Sequence, residues 1–195
     1  MNIILASSSP RRAEILRNAG IHFEIRAAEI DETPLPGETA EAMVARLAEA
    51  KAREVAAHMD ASMHDFIIVG ADTTVELDGE ILGKPDDSRD AAKMLAKLSG
   101  RTHRVLTGIF LVKLPGNGAR TAVESSAVTF TALSKHEIDA YVLTGEPMGK
   151  AGAYGIQGYA GRFISKIAGD YFNIVGLPLA RLYALLRESG WNEKQ

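Results

Sequence analysis

The sequence predicts one α/β unit over residues 1–195, with long antiparallel hairpins rather than a purely parallel sheet. Three observations carry that expectation. Strand-like and helix-like segments alternate along the chain with no clear linker between them. "FIIVGAD" (66–72) opens on four apolar residues in a row, the pattern of a central strand covered on both faces and ending at Gly70. "TTVELDGEIL" (73–82) alternates around Asp78-Gly79, a two-residue hairpin signal, and two longer strands, "THRVLTGIFLVKL" and "ARTAVESSAVTFTAL", flank the turn "PGNG".

The elements follow in order. "NIILA" reads as a short buried strand. The next segment starts a helix with Ser9 as N-cap and Pro10 in the first position, and Gly20 stops it. "FEIRAAEI" (23–30) alternates as a second strand, which "DETPLPGE" breaks. Residues 39–58 place Met43, Val44, Leu47, Ala50 and Val55 at helical spacing. Residues 83–100 hold a loop, then an amphipathic helix on Ala91, Met94, Leu95 and Leu98, then a Gly100 stop. "SKHEIDAYVLTG" opens with the capping box Ser134 to Glu137, and "LPLARLYALLRESG" is the last amphipathic helix.

Composition narrows the function classes. With 46% hydrophobic and 24% charged residues the chain is an ordinary globular one. A formal charge of -3 argues against non-specific nucleic-acid binding, which needs a basic surface, so an anion site must be a local concentration of charge. No cysteine is present, which excludes disulfides, zinc-thiolate sites and thiol nucleophiles. The five histidines show no metal-binding spacing. No apolar stretch approaches the ~18 residues of a membrane span, and the N-terminus has no basic start. The expectation is a soluble cytoplasmic protein.

Several residues sit where structure alone does not want them. Arg11 and Arg12 occupy the first turn of a helix, where the dipole disfavours a cation by roughly 0.3–1 kcal/mol. Lys51 lies four residues from both Leu47 and Val55, on the apolar stripe. Its stem can simply snorkel, as Lys84 before Pro85 can be an ordinary surface lysine. Asp72 follows the buried strand, where α/β proteins often place catalytic groups, although Asp after Gly-Ala also forms turns. Asp31 and Glu32 lie in the Pro-rich break. Glycines 149, 152, 155, 158 and 161 recur every third residue, either as a loop of tight turns or as backbone that passes close to a ligand. In the second case Lys150, Tyr154 and Gln157 point into that site. Added together, these cations and carboxylates suit a triphosphate with a hard divalent ion. No Walker sequence is present, so chemistry at the γ-phosphate is not favoured over attack nearer the sugar.

The blocks "LASSSPRRAEIL", "LAEAKA", "GADTTVELDGEILGKP", "LSGRTHRVLTG", "KAGAYGIQG" and "VGLPL" together resemble the Maf family of nucleoside triphosphate pyrophosphatases. They stand in order from residue 5 to about residue 180, and no family block is missing. The resemblance implies an elongated mixed sheet with helices, two lobes around a cleft, and a fold similar to the inosine triphosphatase class. It implies hydrolysis between the α- and β-phosphates, dependent on a divalent cation (Mg or Mn). Asp72 is then the carboxylate acting on the attacking water, Glu32 helps with the metal or water, and Arg11, Arg12, Lys51 and Lys84 hold the phosphates. The family's branch acting on methylated GTP carries Trp, Gln and Glu where this chain has Arg11, Thr73 and Gln157. A cationic base suits an aromatic face and a carboxylate, whereas a Gln amide can accept from N3-H and donate to O4 of thymine or uracil. The resemblance is therefore to the dTTP/UTP branch, with modified pyrimidine nucleotides also expected to fit. It implies a small-molecule nucleoside triphosphate as partner, no nucleic acid or membrane, and a homodimer. A second reading of the same resemblance is a nucleotide-binding regulator of septum formation that binds without turnover.

Overall fold

A computed structural model of the chain describes residues 1–59, 65–116 and 118–192. Asn117 of the expected "PGNG" turn lies outside the described residues. Seven strands form one mixed sheet: β1 (Asn2–Leu5), β2 (Phe23–Ile25), β3 (Phe66–Leu77), β4 (Glu80–Leu82), β5 (Thr102–Leu114), β6 (Ala119–Phe130) and β7 (Ile164–Ala168). Their order is β2-β1-β3-β5-β6-β7, with β4 pairing β3 beside this path. β1 is parallel to β2 and β3, and every later pairing is antiparallel. The helices are α1 (Pro10–Asn18), α2 (Ala40–Ala57), α3 (Ser88–Leu98), α4 (Lys135–Leu143), α5 (Tyr171–Val175) and α6 (Leu179–Glu188). None is long and apolar enough to cross a membrane, among the described residues.

β3 differs from its expected course. It does not stop at Gly70 but runs on to Leu77, pairing with β5 through Asp72↔Gly108 and Thr73↔Thr107. Asp72 is therefore mid-strand rather than just past a strand end. Gly70 is there for helix packing, not termination. A Cβ on Gly70 would lie 2.0 Å from the Ala48 carbonyl oxygen of α2, and one on Gly108 would lie 2.2 Å from the Val44 carbonyl oxygen. These two glycines let the α2 backbone rest directly on the sheet. The second strand is shorter than its alternation suggests, β6 ends before Thr131, and β7 and α5 are additions to the expected elements. The two-residue turn at Asp78-Gly79 forms as expected, with both residues at positive φ.

β3 and β5 are long enough to serve two cores. At one end Ile67, Val69 and Ile109 pack with Leu16 of α1 and Leu182 of α6, while Ile68 and Phe110 pack under Ala48 and Ala52 on the opposite face. At the other end Val75, Leu77 and Val105 pack with Leu95 of α3, Tyr141 of α4 and Phe163. Between the two cores the strands turn polar: Asp72, Thr74 and Thr107 are all buried. That polar waist is where the two halves of the sheet leave a cleft.

The second core also encloses a histidine. His103 is 2% exposed, its Nε2 is 2.7 Å from the Tyr154 hydroxyl, and its Nδ1 has no partner among the described residues. Burial pushes the imidazole down to about 4. Its folded pKa lies below the ordinary value, so between the two the unfolded chain binds the extra proton and stability falls as pH falls. From pH 7 to pH 5 this group alone removes about 2 kcal/mol. Chemical denaturation of wild type and His103→Gln at both pH values should show a flatter dependence in the variant; equal slopes would refute it. Gly108→Ala should destabilise by about 3 kcal/mol through collision with α2, whereas Gly118→Ala, with open space at its Cβ position, should stay within about 0.5 kcal/mol. Urea midpoints of the two variants test the pair.

Candidate active site

The close seat of α2 on the sheet carries Lys51 into the waist. This explains a lysine on an apolar stripe, because the position faces two carboxylates rather than only hydrocarbon. Lys51 is 8% exposed, and its Nζ lies 2.7 Å from Asp72 Oδ1 and 2.5 Å from Glu32 Oε1. The other oxygen of Glu32 accepts from Lys84 Nζ at 2.8 Å. The result is a line of alternating charge, Asp72, Lys51, Glu32 and Lys84. Partial burial pushes the Glu32 carboxyl up, but hydrogen bonds from Lys51 and Lys84 outweigh this and hold it at about 2. Asp72 Oδ2 has no hydrogen-bond partner among the described residues.

The Pro-rich segment delivers Glu32 to this line because its far end is pinned. Glu38 takes Arg46 of α2 in a bidentate pair at 2.6 and 2.7 Å, and Arg46 also donates to the Thr33 carbonyl at 3.3 Å. Of the two neighbouring carboxylates, Glu32 lines the cleft and Asp31 does not. Asp31 Oδ1 instead accepts from the Thr33 amide at 2.9 Å, an Asx turn on the surface. Glu38 and Arg46 carry no sequence signal beyond being oppositely charged eight residues apart.

Arg11 and Arg12 diverge. Arg12 is 8% exposed and donates from Nε to the Gly176 carbonyl at 2.8 Å, from Nη1 to Ser7 Oγ at 3.0 Å, and from Nη2 to Thr73 Oγ1 at 3.0 Å. Burial lowers its pKa, which the Asp72 charge opposes. Three of its five donors thus go to protein oxygens, which compensates its place in the first turn. Thr73 Oγ1 continues to Thr107 Oγ1 at 2.9 Å, and Thr107 donates to the Asn173 carbonyl at 3.0 Å. Asn173 in turn donates to Ser126 Oγ and the Val105 carbonyl. Thr107 and Asn173 were not legible as site residues, since their partners are distant in the chain. Arg11 is partly exposed and forms no hydrogen bond or ion pair among the described residues.

These groups share a cleft of about 1020 Å³. Arg11 of α1, Lys51 of α2, Asp72 of β3 and Lys84 in the loop after β4 line it on one side; Lys150 and Gln157 line it from the glycine-rich segment. That segment holds two short 3-10 turns, Ala151–Ala153 and Tyr159–Phe163, and the Gly152 amide ties it to the Gly83 carbonyl beside Lys84 at 3.0 Å. Gln157 is exposed, with its side-chain amide unpaired among the described residues.

The chemistry open to such a cleft is narrow. A buried carboxylate with one oxygen held by a lysine and the other open can accept a proton from water. Cations around it suit an anionic substrate. No group of three or more His, Cys, Asp or Glu side chains that could hold a metal occurs among the described residues. The two carboxylates that could hold an ion in the cleft are Asp72 and Glu32, which meet at the same Lys51 ammonium. Two carboxylates fit Mg²⁺, which is commonly held by one or two carboxylates and completes its shell from waters and phosphate oxygens.

Comparison with known proteins found relatives along nearly the whole chain. A chain from Symbiobacterium thermophilum named dTTP/UTP pyrophosphatase is 49% identical over 97% of this chain and 94% of its own length. One of the same name from Clostridioides difficile is 50% identical over 96% of this chain and 95% of its own. Among solved structures, a dITP/XTP pyrophosphatase from Mycobacterium abscessus aligns with TM-score 0.40 and 21% identity over 68% of this chain and 76% of its own. The Ham1 protein of Staphylococcus aureus aligns with TM-score 0.43 and 18% identity over 67% and 72%. The profile of the Maf-like protein family matches residues 2–189, so this chain, with its charged line across the waist of a mixed sheet, belongs to the Maf family.

Proposed function

We propose that this protein is a nucleoside triphosphate pyrophosphatase that hydrolyses dTTP and UTP, and modified pyrimidine nucleotides of the same shape, to the monophosphate and pyrophosphate. The observation that carries the mechanism is Asp72, buried at mid-strand and lining the cleft, with Oδ1 held by Lys51 and no hydrogen bond to Oδ2 among the described residues. Water attacks the α-phosphorus, its proton passes to Asp72, the bond from that phosphorus to the bridging oxygen breaks, and pyrophosphate leaves. Lys51 fixes which oxygen of Asp72 meets the water. Arg11 and Lys84 bind phosphate oxygens. Arg12 pins Thr73 and the Gly176 turn and adds its charge to the same field. A polyphosphate competes with Glu32 for the ammonium groups of Lys51 and Lys84 and so releases that carboxylate toward the water.

Asp72 and Glu32 are the residues that would hold a divalent cation, Mg²⁺ or Mn²⁺, which supplies charge neutralisation and polarisation of the phosphate oxygens. Gln157 reads the base, accepting from N3-H and donating to O4 of thymine or uracil. The identity of about half to relatives named dTTP/UTP pyrophosphatase supports this substrate class. The role is removal of excess or non-standard nucleotides, and we place it in the cytoplasm where such nucleotides are found.

Pyrophosphate release from dTTP, UTP, CTP, GTP and m7GTP, with Mg²⁺ or Mn²⁺, tests the reading. Release is expected from dTTP and UTP, and Asp72→Asn should lower kcat by about 10²–10⁴-fold, the worth of a general base. Arg11→Ala should raise KM much more than it lowers kcat. Tight nucleotide binding with no release from any of the five would replace the enzyme with a binding regulator.

A further inference from the structure

The glycine-rich wall of the cleft is built around one carboxylate that the proposed chemistry does not use. Glu146 follows α4 and is partly buried at the edge of the cleft. Its Oε1 accepts from the Tyr141 hydroxyl at 2.9 Å, and its Oε2 accepts from the Tyr159 backbone amide at 2.9 Å. The Tyr141 hydroxyl itself accepts from the Gly155 amide at 3.3 Å. Tyr141 is fully buried, and its ring stacks on Tyr159 with centroids 5.4 Å apart. Burial and the adjacent Glu146 charge both push this phenol above its ordinary pKa, so it remains a donor to the carboxylate. Lys150 closes the other side by donating to the Glu146 carbonyl.

The two tied amides, at residues 155 and 159, are each two residues from Gln157. The Gly158 amide also reaches back to the Gly155 carbonyl at 3.1 Å, so residues 155–158 form a turn with Gln157 in it. The turn closes directly over the carboxylate: a Cβ on Gly158 would lie 2.4 Å from Glu146 Oε1. Glycine at that position has this contact as its reason. No other acidic side chain accepts a hydrogen bond from the backbone of residues 155–159 among the described residues.

We infer that Glu146 is a positioning residue for substrate selection: its carboxylate holds the backbone after Gln157 directly, at the Tyr159 amide, and the backbone before it through the Tyr141 hydroxyl, and so fixes where that amide meets the base. This rests on the base-reading role proposed above for Gln157. Glu146 neither binds phosphate nor touches the water. Its loss should therefore act on which nucleotide is chosen, through KM, more than on the rate of the chemical step.

The test is kcat and KM for dTTP and CTP in wild type, Glu146→Ala, Glu146→Gln, Gln157→Ala and the Glu146→Ala/Gln157→Ala pair. Glu146→Ala should lower the dTTP-over-CTP ratio of kcat/KM by about tenfold, the value of one displaced hydrogen bond of ordinary strength. The loss should appear mainly in KM. Glu146→Gln keeps an acceptor for the Tyr159 amide and should restore most of the ratio. The double variant should be no less selective than Gln157→Ala alone, because both changes remove the same contact. If Glu146→Ala does not fold, Tyr141→Phe, which removes one arm of the clamp, should lower the ratio by a smaller factor. A ratio lowered in Gln157→Ala but unchanged in Glu146→Ala, or in Tyr141→Phe where that variant stands in, would overturn the clamp alone. Additive losses in the double variant, or a kcat loss shared equally by both nucleotides, would do the same. A ratio unchanged in Gln157→Ala would withdraw the base-reading role and the clamp with it.

Discussion

The ion pair between Lys51 and Asp72 is the constraint on which the rest of the molecule depends. A carboxylate buried in the middle of a seven-stranded sheet needs a partner, and so does a lysine on the apolar stripe of a helix. Each makes the other tenable. Their meeting requires the helix to lie closer to the sheet than side chains normally permit, which is why β3 and β5 carry glycine at positions 70 and 108. Glu32, arriving from a loop pinned by Arg46, extends the pair into a line of charge that reaches Lys84 at the mouth of the cleft. An ion pair of this kind adds little net stability over a well-packed apolar contact, so its presence points to function.

The architecture supplies this line with rigid supports. Two long strands run through both apolar cores, and the polar residues lie on the stretch between them. Asp72 and Thr73 therefore inherit the rigidity of the sheet instead of the mobility of a loop. A second set of polar contacts runs from Arg12 through Thr73 and Thr107 to Asn173, joining α1, β3, β5 and α5. The first set holds charge at the reacting end of the cleft, and this one holds the frame around it. The glycine-rich wall completes the enclosure, with a carboxylate of its own beneath the turn that presents Gln157.

Much of this was legible in the sequence, for reasons that differ from residue to residue. Lys51 stood out because helical periodicity is a strong signal and a charge on the wrong face breaks it. The capping box at Ser134 and the Asp78-Gly79 hairpin were legible because both are local. Asp72 drew attention as a residue after a strand, yet it lies within one; glycine reads as a breaker in sequence and here is a seat for a helix. Arg12 looked like a cation without a partner because two of its three acceptors, Thr73 and Gly176, lie 61 and 164 residues further on, and the third, Ser7, is an uncharged serine. β7 escaped notice because it is short and largely exposed, and α5 because five residues give no helical period. The preference for Glu32 over Asp31 depended on a loop path that no local pattern specifies.

The measurement that bears most directly on the central claim is the unfolding free energy of Lys51→Met and Lys51→Met/Asp72→Asn against wild type. If Lys51 is what makes a buried Asp72 charge tenable, the single variant loses about 3–5 kcal/mol and the second substitution recovers part of it by removing the stranded charge. A single variant within about 1 kcal/mol of wild type, or a double variant in which the two losses simply add, would contradict the account.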